Sequence, residues 1–137
     1  MGLILDTGLF VRAERDGVPV AQAIQSWAFR MGEARLEASA ITLAELSHGV
    51  PRAKSEATRL NRLAFIGALR ANVPVYGVDD EIAFRAGLIE GNLKNHGLTI
   101  GFADSLIAAT ALIRGDGVAT LNGKHFKVVP GLNVVEM

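Results

Sequence analysis

Three acidic residues stand where an ionised carboxylate is costly. Asp6 closes the first apolar run, Leu3-Ile4-Leu5, while Glu45 and Asp104 each fall inside an apolar segment of helical periodicity. No Lys or Arg lies three or four residues from Glu45 or Asp104, so neither has a cationic neighbour on its own helix. A carboxylate in apolar surroundings is expensive unless it is paired, hydrogen-bonded or bound to a cation, and oxygen donors of this kind suit a hard divalent ion such as magnesium. Each acid also has an ordinary reading. Asp6 before Thr7-Gly8 could cap a helix, Glu45 could complete a capping box with Thr42, and Asp104 could complement a helix dipole. A zinc site is a poor expectation. The chain has no cysteine, and its histidines at 48, 96 and 125 lack the close spacing of a zinc helix, so they default to structural or surface roles.

The elements that must position these acids alternate between strand and helix. Gly2–Leu5 reads as a short buried strand, and apolar residues at 20, 23, 24, 27, 28 and 31 predict a helix over Pro19–Met31, ended by Gly32. Leu36–Ile41 is a second strand, followed by a helix over Thr42–Val50 that Pro51 stops. A longer helix over Arg52–Ala71 carries one apolar stripe and a basic opposite face. Val73–Val78 is a third strand. Asp79-Asp80-Glu81 places negative charge at the start of the helix that runs to about His96, where it reads as a helix start rather than a site. Phe102–Arg114 is the most apolar helix, Val118–Leu121 a fourth strand and Leu132–Val135 a fifth, with Asn122-Gly123 reading first as a tight turn.

Strands alternating with helices imply parallel pairing and an α/β fold: a three-layer α/β/α sandwich with a central, mainly parallel five-stranded sheet. In such a sheet, ligands collect beyond the carboxyl ends of the strands. Asp6 lies one residue past the first strand, Glu45 one helical turn past the second, and Asp104 in the first turn of its helix, so all three are placed to converge at one end.

Length and composition bound the rest. A chain of 137 residues, half of them apolar, fits a single domain over residues 1–137 with a substantial core. There is neither a basic leader with a signal core nor an apolar stretch approaching about 18 residues, which leads us to expect a soluble, cytoplasmic protein with no membrane association. Lys plus Arg and Asp plus Glu are balanced at 14 each, so any contact with a polyanion must come from local clustering. Arg12 and Arg15 beyond Asp6, and Lys124 and Lys127 near the last strand, are the candidate phosphate contacts.

Four segments, in order, carry a family resemblance. Leu3-Ile4-Leu5-Asp6-Thr7, the stretch Ile41-Thr42-Leu43-Ala44-Glu45-Leu46-Ser47-His48-Gly49, and the stretch from Ile100 through Asp104-Ser105-Leu106-Ile107-Ala108-Ala109 to Ala111 resemble the signature blocks of PIN-domain ribonucleases. Ala119-Thr120-Leu121-Asn122-Gly123-Lys124-His125-Phe126, with Pro130-Gly131-Leu132, resembles the fourth block. Order, spacing and length are similar to those of VapC toxins of type II toxin–antitoxin pairs. The resemblance implies a magnesium- or manganese-dependent endoribonuclease acting on structured RNA such as tRNA. It further implies inhibition by a cognate VapB-type antitoxin, with operator DNA contact expected only through that antitoxin; separately, the apolar stripes of the helices at 19–31 and 52–71 lead us to expect a homodimer. Carried over, the catalytic and metal-binding acids are Asp6, Glu45 and Asp104. At the fourth acidic position, where many relatives have Asp, this chain places Asn122, a weaker contributor that makes a second metal less well held.

Two other readings compete. Leu5-Asp6-Thr7-Gly8 contains the D-T-G of aspartic proteases, but that fold is all β and the helical stripes at 52–71 and 102–114 oppose it. A phosphatase with a nucleophilic Asp would want a second Asp two residues after Asp6, where this chain has Gly8. The serious alternative is a catalytically weak PIN-like subunit that acts mainly by binding its antitoxin partner.

Overall fold

The computed structural model describes residues 1–137. Five strands form one sheet: β1 (Gly2–Leu5), β2 (Arg35–Ser39), β3 (Val75–Tyr76), β4 (Gly117–Thr120) and β5 (Val134–Glu136). Their spatial order is β3-β2-β1-β4-β5, and all four neighbouring pairs are parallel. Between them run α1 (Thr7–Arg15), α2 (Val20–Arg30), α3 (Ala40–Ser47), α4 (Glu56–Asn72), α5 (Asp80–Asn95), α6 (Phe102–Arg114) and α7 (Gly123–Lys127). No helix is long and apolar enough to cross a membrane.

The two-residue period of the strands sorts the core into two halves. Leu3 and Leu5 of β1 face one side, where they join Leu9, Phe10, Trp27 and Leu69 from α1, α2 and α4. Phe10 and Trp27 meet edge to face with ring centroids 5.6 Å apart. Ile4, between the two leucines, faces the other side with Val118 and the buried faces of α5 and α6. Alternation along one short strand thus produces the three layers.

The strand order puts β1 at the centre, with the chain reversing its direction of winding between β1 and β4. The crevice beyond the carboxyl ends of these two strands is therefore the place where a ligand site is expected in this topology.

The elements differ from the sequence reading in instructive ways. Residues 7–15 form α1, whose Thr7-Gly8 opening and short length hide its period. The third helix begins at Ala40 rather than Thr42, and its N-cap is Ser39, whose hydroxyl accepts the Ile41 N–H. Thr42 is therefore no cap, and the capping-box reading of Glu45 fails. Asn122-Gly123 is not a tight hairpin turn but the entry to α7, because β5 returns parallel to β4 and needs a crossover. Asp79 does cap α5, its carboxylate accepting the Ile82 N–H at 2.9 Å, as its place at a helix start suggests.

Candidate active site

Asp6 and Glu45 are delivered by the strand-to-helix junctions after β1 and β2, and Asp104 by the start of α6, which follows α5. Asp6 follows β1 and occupies the N-cap position of α1, yet its side chain makes no capping bond. Instead it is held from the neighbouring strand. Because Leu5 pairs with Ala119, residues 6 and 120 lie side by side, and the buried Thr120 hydroxyl donates to Asp6 Oδ2 at 2.8 Å. Thr120 in turn accepts the Asn122 backbone N–H at 3.0 Å.

Glu45 projects from α3, the helix after β2, and is exposed. The first turn of α1 lies beside it. The Thr7 hydroxyl donates to Glu45 Oε1 at 2.6 Å and also lies 2.8 Å from the hydroxyl of Thr42, which is fully buried.

Asp104 sits in the first turn of α6, part-buried. Burial is the main reason its carboxyl is raised above the ordinary Asp range, and the nearby charges of Asp6 and then Glu45 push it the same way. His125 opposes the shift from α7, with Nδ1 at 3.4 Å from Asp104 Oδ2. Raising of one acid by the other two shows that the three carboxylates share an electrostatic neighbourhood. No Lys or Arg forms an ion pair with any of them. They do not close into a compact three-ligand cage.

Asn122 reaches the same end through its backbone, but its side-chain amide turns to His125, 3.2 Å from Nε2, and not to the acids. His125, expected in a structural or surface role, is indeed exposed, but it also lies against Asp104. Its link to Asp104 spans two helices far apart in sequence, so no local spacing could have revealed it. Among the expected phosphate contacts, Arg12 is paired with Asp16 and Lys127 with Glu136, leaving Arg15 and Lys124 without an acidic partner.

A second acidic pair at the opposite end of the sheet went unread in the sequence. Glu37 is completely buried, and Asp116 nearly so. Arg35 bonds both of them, Tyr76 donates its hydroxyl to Glu37, and Arg114 lies 3.4 Å from each acid with its guanidinium over the Tyr76 ring. Two cations answer two anions there, so that cluster is internally neutralised. At the other end Asp6, Glu45 and Asp104 have no Lys or Arg partner.

A central parallel sheet, seven helices and an acidic cluster at the carboxyl ends of the strands define a PIN-type α/β/α domain. The sequence matches the PIN domain family over residues 3–132. Ribonuclease VapC1 of Rickettsia felis is 37% identical over 135 residues, covering 98% of this chain and 96% of that protein. The tRNA(fMet)-specific endonuclease VapC of Salmonella typhimurium is 33% identical over 106 residues, covering 77% of this chain and 78% of that protein. Among solved structures, a chain of the Rickettsia felis VapBC2 complex bound to a promoter DNA fragment superposes with a TM-score of 0.84 at 25% identity, covering 100% of this chain and 99% of that one. The chain belongs to the PIN-domain family and, within it, to the VapC ribonucleases.

Proposed function

We propose that this chain is a metal-dependent endoribonuclease, the toxin of a VapBC-type pair, that cleaves structured RNA such as tRNA. The observation that carries the reading is the convergence of Asp6, Glu45 and Asp104 at one end of the sheet with no Lys or Arg paired to any of them. The donor set fits magnesium or manganese: hard carboxylate oxygens, free of thiolate and of ion-paired Lys or Arg, with one acid held above its ordinary pKa by burial and by the other two. Asp6 and Asp104 would hold the ion directly, and Glu45 would hold it through water or orient the attacking water. Bound there, the ion would supply charge neutralisation for the phosphoryl oxygens and a more acidic water.

The chain's own residues set the stage for that chemistry. Thr120 and Thr7 fix the carboxylates of Asp6 and Glu45 in acceptor-ready orientations. Arg15 and Lys124, exposed and without acidic partners, are suited to the phosphates on either side of the scissile bond. The His125 ring, with Nδ1 3.4 Å from Asp104 Oδ2, borders the acids on the α7 side.

The partners follow from the same family and from the surface. A VapB-type antitoxin would lay an amphipathic helix against apolar surface; a groove of about 500 Å³ over α1 and α2, lined by Leu9, Trp27, Leu121 and Met137, offers it a seat. Operator DNA would be reached only through that antitoxin. Exposed Phe29, Leu60 and Leu63 on α2 and α4 suit self-association as a homodimer. One observation favours a second reading, a catalytically weak subunit that acts mainly by binding its antitoxin: Asn122 stands at the fourth position with its amide turned to His125.

Sequencing of RNA 5′ and 3′ ends after induced expression tests the proposal. New ends at a discrete set of sites in structured RNA are expected, absent when Asp104→Asn is expressed instead. An unchanged end profile would refute it in favour of the binding subunit.

A further inference from the structure

We propose that Thr42 and Thr120 are positioning residues that pre-set Glu45 and Asp6 through directional hydroxyl relays, a role that rests on the metal-site reading above. The geometry forces the direction of each relay. A threonine hydroxyl has one hydrogen to give, and Thr7 gives its hydrogen to Glu45 Oε1 at 2.6 Å. The 2.8 Å contact between the Thr7 and Thr42 hydroxyls must then be donated by Thr42. The order is Thr42 to Thr7 to Glu45. On the other side the Asn122 N–H donates to Thr120, whose single hydrogen goes to Asp6 Oδ2.

Both relays run from groups fixed by the fold. Thr42 is fully buried, and Thr120 is fully buried at the end of the paired strand β4. A donor that is itself receiving a hydrogen bond is polarised, which strengthens its bond to the carboxylate, and close packing holds a buried side chain in its rotamer minimum on the time average. Each relay therefore holds one carboxylate at a set angle with at least one oxygen accepting from protein. Asp104 receives no hydroxyl; its neighbour is the exposed ring of His125. Two acids are preset and one is left to adjust.

Thr42 thus has a task that its position in α3 does not announce. In metal sites, partners that orient the ligands matter nearly as much as the ligands themselves, with losses of about tenfold or more in affinity when they are removed.

Manganese titration calorimetry on the full-length protein, without RNA, reads the effect apart from catalysis. Thr42→Val and Thr120→Val, which keep the buried shape, are expected to weaken manganese binding by about tenfold with little change in Tm. Thr42→Ser is expected to restore parental binding, because it keeps the hydroxyl and loses only the methyl. Should Thr42→Val fail to fold, Thr7→Val breaks the same relay one bond closer to Glu45 and is expected to show the same weakening. Parental affinity in the relay variants, or no rescue by serine, would overturn the inference and make these threonines packing residues. Glu45→Gln separates this failure from that of the underlying reading: if it too binds manganese as the parent does, the metal-site reading of Glu45 falls and the relay with it.

Discussion

Arg114→Met tests whether the two ends of the sheet have separate tasks. Arg114 lies 3.4 Å from both Glu37 and Asp116, and these two acids are almost wholly buried. Its removal leaves two buried carboxylates with one guanidinium, that of Arg35, between them, and Asp116 Oδ2 already has no hydrogen-bond partner. Breaking a buried pair from one side costs about 3–5 kcal/mol. The lower end applies here, because Arg35 and the Tyr76 hydroxyl remain on Glu37 and Arg114 itself is partly exposed. Unfolding entropy of about 2.1 cal/mol/K per residue over 137 residues turns a loss of about 3 kcal/mol into a fall in Tm of roughly 10 °C. Urea denaturation followed by circular dichroism measures the free energy, and a thermal scan measures Tm. At a temperature where the variant is folded, RNA cleavage should stay near the parental rate, since ten residues of α6, about 15 Å of helix, separate Arg114 from Asp104. Adding Glu37→Gln to Arg114→Met should recover part of the lost stability, as the uncompensated charge goes with it. A loss below about 1 kcal/mol, or no recovery in the double variant, would refute the claim that this cluster is a neutralised structural tie.

Other expectations concern the opposite end. Asn122→Asp should lower the magnesium concentration needed for half-maximal cleavage by adding a charged oxygen at the sheet end, and more so with His125→Gln, which removes the residue now holding the amide; an unchanged magnesium curve in both would make Asn122 only the entry to α7. Asp104 is raised in the folded chain, chiefly by burial, so its contribution to stability is full below the unfolded Asp pKa and is lost as pH rises through the folded value. Metal-free Asp104→Asn should therefore gain stability relative to the parent as pH is raised through that window, which thermal scans across pH 3–7 would show, and a constant difference would contradict the assignment. Sedimentation at micromolar concentration should show a dimer, weakened by Phe29→Ser; a monomer throughout would remove the self-association surface.

How much of this was legible in sequence varies with the range of the interaction. Strand period and helix stripes are local signals, so the sheet, the long helices and the junctions bearing Asp6, Glu45 and Asp104 could be read from neighbours along the chain. The bounds of Phe102–Arg114 were read directly, because Gly101 and Gly115 flank a continuous apolar pattern. α1 was missed because nine residues beginning Thr-Gly give too little period. Thr42 was misread for a different reason: a threonine three residues before a glutamate has the pattern of a capping box, and only the helix start at Ala40 shows that its hydroxyl serves Thr7. His125 and the Glu37–Asp116 cluster depend on contacts between residues far apart in the chain, which no spacing rule reports.

The central claim is that Asp6, Glu45 and Asp104 make a divalent-metal site for phosphodiester hydrolysis, and cleavage of a structured RNA by the purified chain tests it most directly. Magnesium should support cleavage, a chelator should abolish it, and Asp6→Asn and Asp104→Asn should each be inactive while unfolding at or above the parental temperature in the absence of metal. Cleavage that persists in chelator, or at the parental rate in either variant, would contradict the account.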